Sequence, residues 1–558
     1  MSVPTAELTA APAARRPAIS AAALTRSLTG GRLYVALAVA ALVLAALSLL
    51  IPSTPSYDPW SWLVWGREIA HANLQTTGGP TWKPLPVIFT TIFSPFGSAA
   101  PDLWLVVARA GALMAVAMTV RVAWRLARPL VLAIEGGERR SSLALLPALL
   151  AALIAAGSLI NSPGFITDNA LGYSEGLMTA LVLVAFERHL DGARRQAFAI
   201  GFFAALDRPE LWLLWGPYGL YLWWKDPGAR KLVIALFVLI PVLWFVPEYW
   251  GSGHFFRGVT RAQHVRSNSA ANAKCPFCTE FTKHAWPRVM FRIKLVGLLA
   301  MAVAAFGLWR TRSRLLAARH PASPDRPARG SSGSWRRARS LGPGTQAMLL
   351  LVVAGVVGWA WWIGVSVLTQ AGFSGNDRYL VLGSALVSIA GGVGWGWGAA
   401  ALARVLTRRL TLAAAGAIGT AVAIALIVAT PPWIGPSIVD LPATHRALVY
   451  QAHLRQDMAR AVKLVGAKRI LACGTVMTEG FQVPMLAWNL DVHTARIAAS
   501  PASVSRPGPA PNVIFQTRAQ RNAHLLPVIG AWEDVRYHRV TRVRTFRVFA
   551  HCAHKVTL

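Results

Sequence analysis

Acidic residues are scarce in this 558-residue chain: 23 Asp and Glu stand against 56 Lys and Arg, a formal charge of +33. Charge of either sign is thin, 14% of residues where a soluble domain carries about 25%. Apolar residues make up 54% and the mean hydropathy is +0.45. That excludes intrinsic disorder, which needs low hydrophobicity, and argues against a soluble enzyme, which would have to hide this much apolar surface in a core. Familiar motifs are missing too. The Gly-Thr of "CGTVMTEGFQ" lacks the Gly-x-x-x-x-Gly-Lys spacing of a phosphate loop. No small-residue cleavage pattern follows Ile51, so the first apolar run does not read as a signal peptide. The basic excess does not form one stripe, as a nucleic-acid surface would; the arginines flank long apolar runs.

What is there is a series of apolar runs, near 33–51, 103–124, 143–161, 172–187, 196–224, 231–247, 290–309, 346–368, 379–402 and 411–430. The run over 196–224 is broken by Asp207-Arg208-Pro209-Glu210 and reads as two shorter helices, so the chain is expected to carry about 11 membrane spans. Lys and Arg mark one side of the membrane: Arg26 and Arg32 before the first span, Arg121 to Arg140 after the second, nine Arg over 310–345, and Arg404 to Arg409. With the N-terminus inside, the C-terminus lies outside. The fold expected is an all-α polytopic membrane protein with a small C-terminal extracytoplasmic α/β domain. Its parts are a cytoplasmic tail over 1–32, a membrane domain over 33–430 and an outside domain over 431–558. The membrane domain includes a first outside loop over 52–102 and a basic cytoplasmic loop over 310–345. In the outside domain a helical run, "ATHRALVYQAHLRQDMARAVKLVG", precedes the strand-like "RILACGTV" and "VRTFRVFAHCA".

The four cysteines fall into two apparent pairs on the outside face, Cys275 with Cys278 and Cys473 with Cys552, and an oxidising outside favours disulfides. Zinc held by Cys275 and Cys278 with His254, His264 or His284 is the alternative, although a second Cys-x-x-Cys is missing.

Ionisable groups near a bilayer are functional candidates. They are densest after the first span. Asp58 is followed by a Trp-rich stretch in which Trp62, Trp65 and Ile69 share one helical face, expected to lie in the headgroup zone. Gly66-Arg67-Glu68 comes next, then a Gly-Gly-Pro turn and Lys83-Pro84-Leu85-Pro86. Asp58 also reads as a helix cap, Lys83 as a snorkelling cation, and Asp207, Arg208 and Glu210 as an ion-pair set around a helix break.

This arrangement resembles the GT-C glycosyltransferase superfamily, especially its aminoarabinose-transferase and protein O-mannosyltransferase-like branches. Those enzymes have an acidic residue in the first outside loop, a juxtamembrane helix with a Gly-Arg-Glu element, and a Lys-Pro-Pro-Leu motif. Here Leu85 displaces the second proline of that motif. Asp168 looks like the family's second outside acid, Asp207-Arg208-Pro209-Glu210 like its Arg-Pro-Glu turn, and Arg378-Tyr379-Leu380 like its Arg-Tyr-Leu element. The resemblance covers roughly 33–400, mostly as architecture.

It implies a glycosyltransferase that moves a sugar from a polyprenyl phosphate to a glycan, lipid or protein of the cell envelope, on the outer face of the cytoplasmic membrane. In that reading Asp58 is the general base of a single displacement, and Asp168 an assisting or acceptor-positioning carboxylate. Lys83 and Arg378 hold the departing phosphate, with Arg67, Glu68, Tyr379, Arg208 and Glu210 as further substrate-binding residues. No cofactor is required, though a divalent ion between Asp58 and Asp168 stays open. A polytopic transporter or lipid-linked-sugar flippase, or a non-catalytic subunit with the same fold, is the alternative function; no repeat between halves of the chain favours a carrier.

Overall fold

The computed structural model describes residues 31–134, 145–265, 269–317, 342–406, 411–428, 438–501 and 508–552. Nearly all of the expected tail over 1–32, most of the loop over 310–345 and residues 431–437 lie outside the described residues.

The molecule is an all-α membrane domain carrying a small α/β domain. Among the described residues, six helices are long and apolar enough to cross a membrane: Gly31–Leu50, Pro84–Ile134, Pro227–Ser252, Phe291–Thr311, Pro343–Gln370 and Asp377–Val405. The other apolar runs are helical but short of the roughly 20 residues a full crossing needs. They form Leu146–Ile160, Glu175–Leu190, Arg194–Ala205, Trp212–Lys225 and Leu412–Val428. The break at 206–211 is present. Pro209 cannot continue the helix that ends at Ala205, and a short 3₁₀ turn leads into the next one.

Close packing of small residues holds the bundle. Helix Val381–Leu406 is wedged between Leu146–Ile160 and Phe291–Ala317. A Cβ at Gly392 or Gly396 would run into the carbonyl oxygens of Ala151 or Pro147, so these two glycines let backbones touch. In lipid, where apolar surface gains nothing by leaving the solvent, such contacts supply most of the association energy. Ser158 and Ser388 add a hydrogen bond between Oγ atoms at 2.8 Å in the same interface.

Helix α1, Tyr57–Ala70, is not an interfacial helix facing lipid. Trp60, Trp62 and Trp65 are all buried. Trp62 meets Trp104 edge to face at 5.5 Å, Trp65 lies 5.6 Å from Trp82, and Trp60 lies 6.1 Å from Trp488 of the C-terminal domain. With protein on both sides, the apolar face expected among headgroups has become a core shared by the two domains.

The C-terminal domain has a five-stranded sheet in the order β2-β1-β3-β5-β4, with β1 Val476–Thr478, β2 Ile497–Ala499, β3 Val513–Gln516, β4 His538–Arg542 and β5 Arg547–Ala550. Strand β1 runs parallel to β2 and β3, and β5 antiparallel to β3 and β4. Helix Leu441–Val465 leads in, capped by the Asp440 side chain on the Ala443 N–H at 2.8 Å. Most of "RILACGTV" is not strand. Ala467–Cys473 is helical because Ile470 and Cys473, three apart, both point into the core.

Helix α2, Val483–Leu490, lies on α1. Arg455 donates to Asp102 at 2.5 Å beside it.

The glycine interface is testable. Gly392→Ala is expected to lower the thermal midpoint in detergent by an amount equivalent to about 1–3 kcal/mol of overpacking. Gly364→Ala, where a Cβ meets nothing within 4 Å, is expected to leave it unchanged. Equal effects would contradict the account.

Candidate active site

At one end of the bundle the polar residues converge. Lys83 is the N-cap residue of the helix Pro84–Phe93, whose start is fixed by Pro84 at its first position. Leu85, between Pro84 and Pro86, has a structural reason. Its backbone N–H donates to the Leu206 carbonyl at 3.2 Å, a bond proline cannot make, and its side chain packs in the cluster with Phe198 and Leu206. That bond ties the start of Lys83's helix to the residue just before Asp207 and Arg208.

Glu175, the first residue of Glu175–Leu190, is the hub. Lys83 Nζ and Arg208 Nη2 each lie 3.2 Å from Glu175 Oε1, and Arg378 Nε lies 3.6 Å from it. Lys83 also donates to Ser174 Oγ at 3.2 Å. Arg208 reaches Glu210 Oε1 at 3.2 Å, and its guanidinium stacks 3.4 Å above the Tyr379 ring. Arg378 Nη2 donates to Asp58 Oδ2 at 2.6 Å while its guanidinium sits 4.0 Å over Tyr173. The 3₁₀ turn Asp377–Leu380 that presents Arg378 and Tyr379 is held from behind: Trp361 and Trp362 donate to the Tyr379 and Leu380 carbonyls at 2.8 and 3.1 Å. Asp58, in the first turn of α1, is positioned by that helix.

Two cavities flank this cluster. One, of about 430 Å³, has apolar walls that include Trp212, Leu213, Trp244, Phe256 and Leu368, with Lys83 and Arg208 at its polar end. Its rim faces outward from the bundle, with Leu213 78% and Phe256 66% exposed. The other, of about 330 Å³, is polar and contains Asp58, Asp377, Arg378 and His284. They share the wall formed by Thr81, Ala262, Ser374 and Tyr379.

The structure therefore brings Asp58, Lys83, Arg208, Glu210, Arg378 and Tyr379 together. It does not bring Arg67 and Glu68 there. At the far end of α1, Arg67 pairs with Asp491 at 2.9 Å and donates to the Trp488 and Val492 carbonyls at 3.2 and 3.0 Å. Glu68 lies 2.8 Å from His493 Nδ1 and accepts from the Gln75 N–H at 2.9 Å. Both residues fasten the C-terminal domain. Burial of Glu68 raises its pKa against those hydrogen bonds.

Asp168 lies in the short helix Phe165–Ala170. Gly164, at φ 77°, leaves room for it: a Cβ there would stand 2.8 Å from Asp168 Oδ2 and 3.3 Å from Asp377 Oδ2. Asp377, not Asp168, faces the polar cavity. Arg288, fully buried, lies 3.7 Å from Asp377. Burial first, and then the charge of Asp377, push the Asp168 carboxyl up to about 7.

Cys275 is bridged to Cys278 and Cys473 to Cys552. Among the described residues no group of three or more His, Cys, Asp or Glu is placed to hold a metal ion.

The sequence singles out Asp58 and Lys83 and gives no sign that Glu175 is the hub. An acid at the start of an apolar helix reads equally well as a terminus charge. Arg288, in Trp286-Pro287-Arg288 before a span, carried only the signal of a juxtamembrane cation.

No protein-family model and no curated protein sequence matches the chain. Among solved structures it is similar to ArnT from Cupriavidus metallidurans bound to undecaprenyl phosphate, with a TM-score of 0.42 and 14% identity over 94% of this chain and 99% of that one. Against ArnT from the same organism in the apo state the TM-score is 0.41 and the identity 14%, over 95% and 98%. At that distance no residue role transfers, and the functional reading stands on the cluster's own geometry.

The Asp168 shift has a definite sign. A carboxyl that holds its proton more tightly folded than unfolded makes the native state the better proton binder between the two pKa values. Stability contributed there falls as pH rises from about 4 towards 7 and is level beyond. The thermal midpoint of Asp168→Asn is expected to decline less than wild type between pH 4.5 and 7.5; parallel curves would refute the assignment.

Proposed function

We propose that the chain is an integral-membrane glycosyltransferase that takes a sugar from a polyprenyl phosphate and passes it to an acceptor hydroxyl at the outer face of the membrane. One observation carries the reading: three cations, the buried Lys83 and Arg208 and the half-buried Arg378, meet where an apolar-walled cavity open to the side of the bundle adjoins a polar one. A lipid phosphate needs that combination, with walls for the chain and charge-assisted donors for the headgroup.

In the resting arrangement carboxylates occupy the donors. Glu175 contacts all three cations, Glu210 takes a second contact of Arg208, and Asp58 holds Arg378. A phosphate entering beside Lys83 and Arg208 competes for Arg378. Once Arg378 turns to it, Asp58 is free to accept the acceptor's proton. The acceptor oxygen attacks the anomeric carbon as Asp58 takes the hydroxyl proton. The bond from that carbon to the phosphate oxygen breaks, and the lipid phosphate leaves with its electron pair, held by Lys83, Arg208 and Arg378. A single displacement inverts the anomeric centre. Asp377 lines the polar cavity beside Arg378, where it positions the acceptor, with Asp168 behind it at Gly164.

Two variants separate the roles. Lys83→Ala and Arg208→Ala are expected to weaken binding of undecaprenyl phosphate to the protein in nanodiscs by roughly 10- to 100-fold, the value of a charge-assisted bond. Asp58→Asn is expected to keep that binding and lose roughly 10²- to 10⁴-fold in sugar transfer. Unchanged lipid binding in both cation variants would defeat the site. Retained transfer in Asp58→Asn would defeat the base. Lipid translocation without transfer would identify a flippase instead.

A further inference from the structure

The polar cavity has an outer wall that the membrane domain does not make. Phe481, on the 3₁₀ turn Gly480–Gln482 of the C-terminal domain, lines it opposite Asp58 and Arg378. Its ring is 43% exposed and stands edge-on to Tyr57 at 6.4 Å, and Tyr57 immediately precedes Asp58. The turn is held firmly. Glu479, itself buried, accepts from the Phe481 N–H at 2.9 Å, and α2 follows directly and packs on α1. The helix that carries Asp58 and the turn that carries Phe481 therefore move as one piece.

The rest of the lining defines what this ring faces. Asp58 and Asp377 face Arg261 and Arg378, and His264, His284, Ser374 and Asn376 add further donors and acceptors. An acceptor bearing a phosphate would meet two carboxylates here, Asp58 and Asp377, the first of them already holding Arg378. A ligand that matches a mixed set of carboxylates, amide and hydroxyl is rich in hydroxyls and uncharged. A ligand that matches a half-exposed aromatic ring in the same wall also has an apolar face. A saccharide ring offers both, hydroxyls around its edge and C–H bonds on its face.

We propose that the acceptor is an uncharged glycan whose sugar ring stacks on Phe481, so that the C-terminal domain completes the acceptor site and Phe481 selects the acceptor. This rests on the transferase reading above and gives it an acceptor class.

Saturation-transfer NMR on the full chain in nanodiscs tests it, with maltotriose, methyl α-D-mannopyranoside and methyl α-D-arabinofuranoside as probes and undecaprenyl phosphate binding measured on the same samples. At least one glycoside is expected to bind with transfer strongest to the C–H protons of one ring face. Phe481→Ala is expected to weaken that binding roughly tenfold, and Phe481→Trp to preserve it, while lipid binding stays at wild-type strength in both. Glycoside binding indifferent to Phe481→Ala overturns the proposal. So does binding only of glucose 1-phosphate or of a Ser/Thr peptide, or of no probe. Loss of lipid binding in the wild-type protein would instead bring down the transferase reading, and the two failures are told apart in one sample set.

Discussion

Everything at the active end of this protein depends on the Glu175 carboxylate. Three cations reach it from three remote parts of the chain: Lys83 from the start of one helix, Arg208 from a helix break, and Arg378 from the turn before the most deeply buried span among the described residues. A carboxylate buried with one cation is a marginal arrangement, because desolvation cancels most of the attraction. With three cations around it the carboxylate is well compensated, and Asp58 and Glu210 cover the positive charge it leaves over. An incoming phosphate would exchange with these carboxylates for the same donors.

The helix Tyr57–Ala70 links this chemistry to the C-terminal domain. Asp58 at its start faces Arg378, while Arg67 and Glu68 at its end grip Asp491 and His493. Its tryptophans, buried from both sides, make it a shared strut. The Gly-Arg-Glu element thus acts through position: it sets the C-terminal domain on the helix that holds Asp58, and so places Phe481 over the polar cavity. One short segment aligns both walls of the site.

Much of this was legible in the sequence. Long apolar runs bounded by arginine identify a membrane bundle, and Pro209 among three charges marks the helix break. Asp58 and Lys83 stand out because ionisable groups so close to apolar runs are expensive unless used. Other features were not legible, for physical reasons. The tryptophan face of residues 60–65 has the pattern of an interfacial helix, and only the domain packed against it turns that pattern into a core. Arg67 and Glu68 look like site residues because local sequence cannot say which end of a helix faces a cavity. Glu175 as hub depends on three long-range approaches that leave no local trace. The helix at Ala467–Cys473 reads as strand because its apolar residues suit either period over so short a stretch.

The central claim is that Lys83, Arg208 and Arg378 form one phosphate site that competes with Asp58 for Arg378. A cryo-EM map of the full chain in nanodiscs containing undecaprenyl phosphate tests this most directly. Headgroup density is expected among those three side chains, with the lipid chain running along Trp212 and Phe256 and Arg378 turned away from Asp58. Headgroup density elsewhere, with Arg378 still bound to Asp58, would contradict the claim.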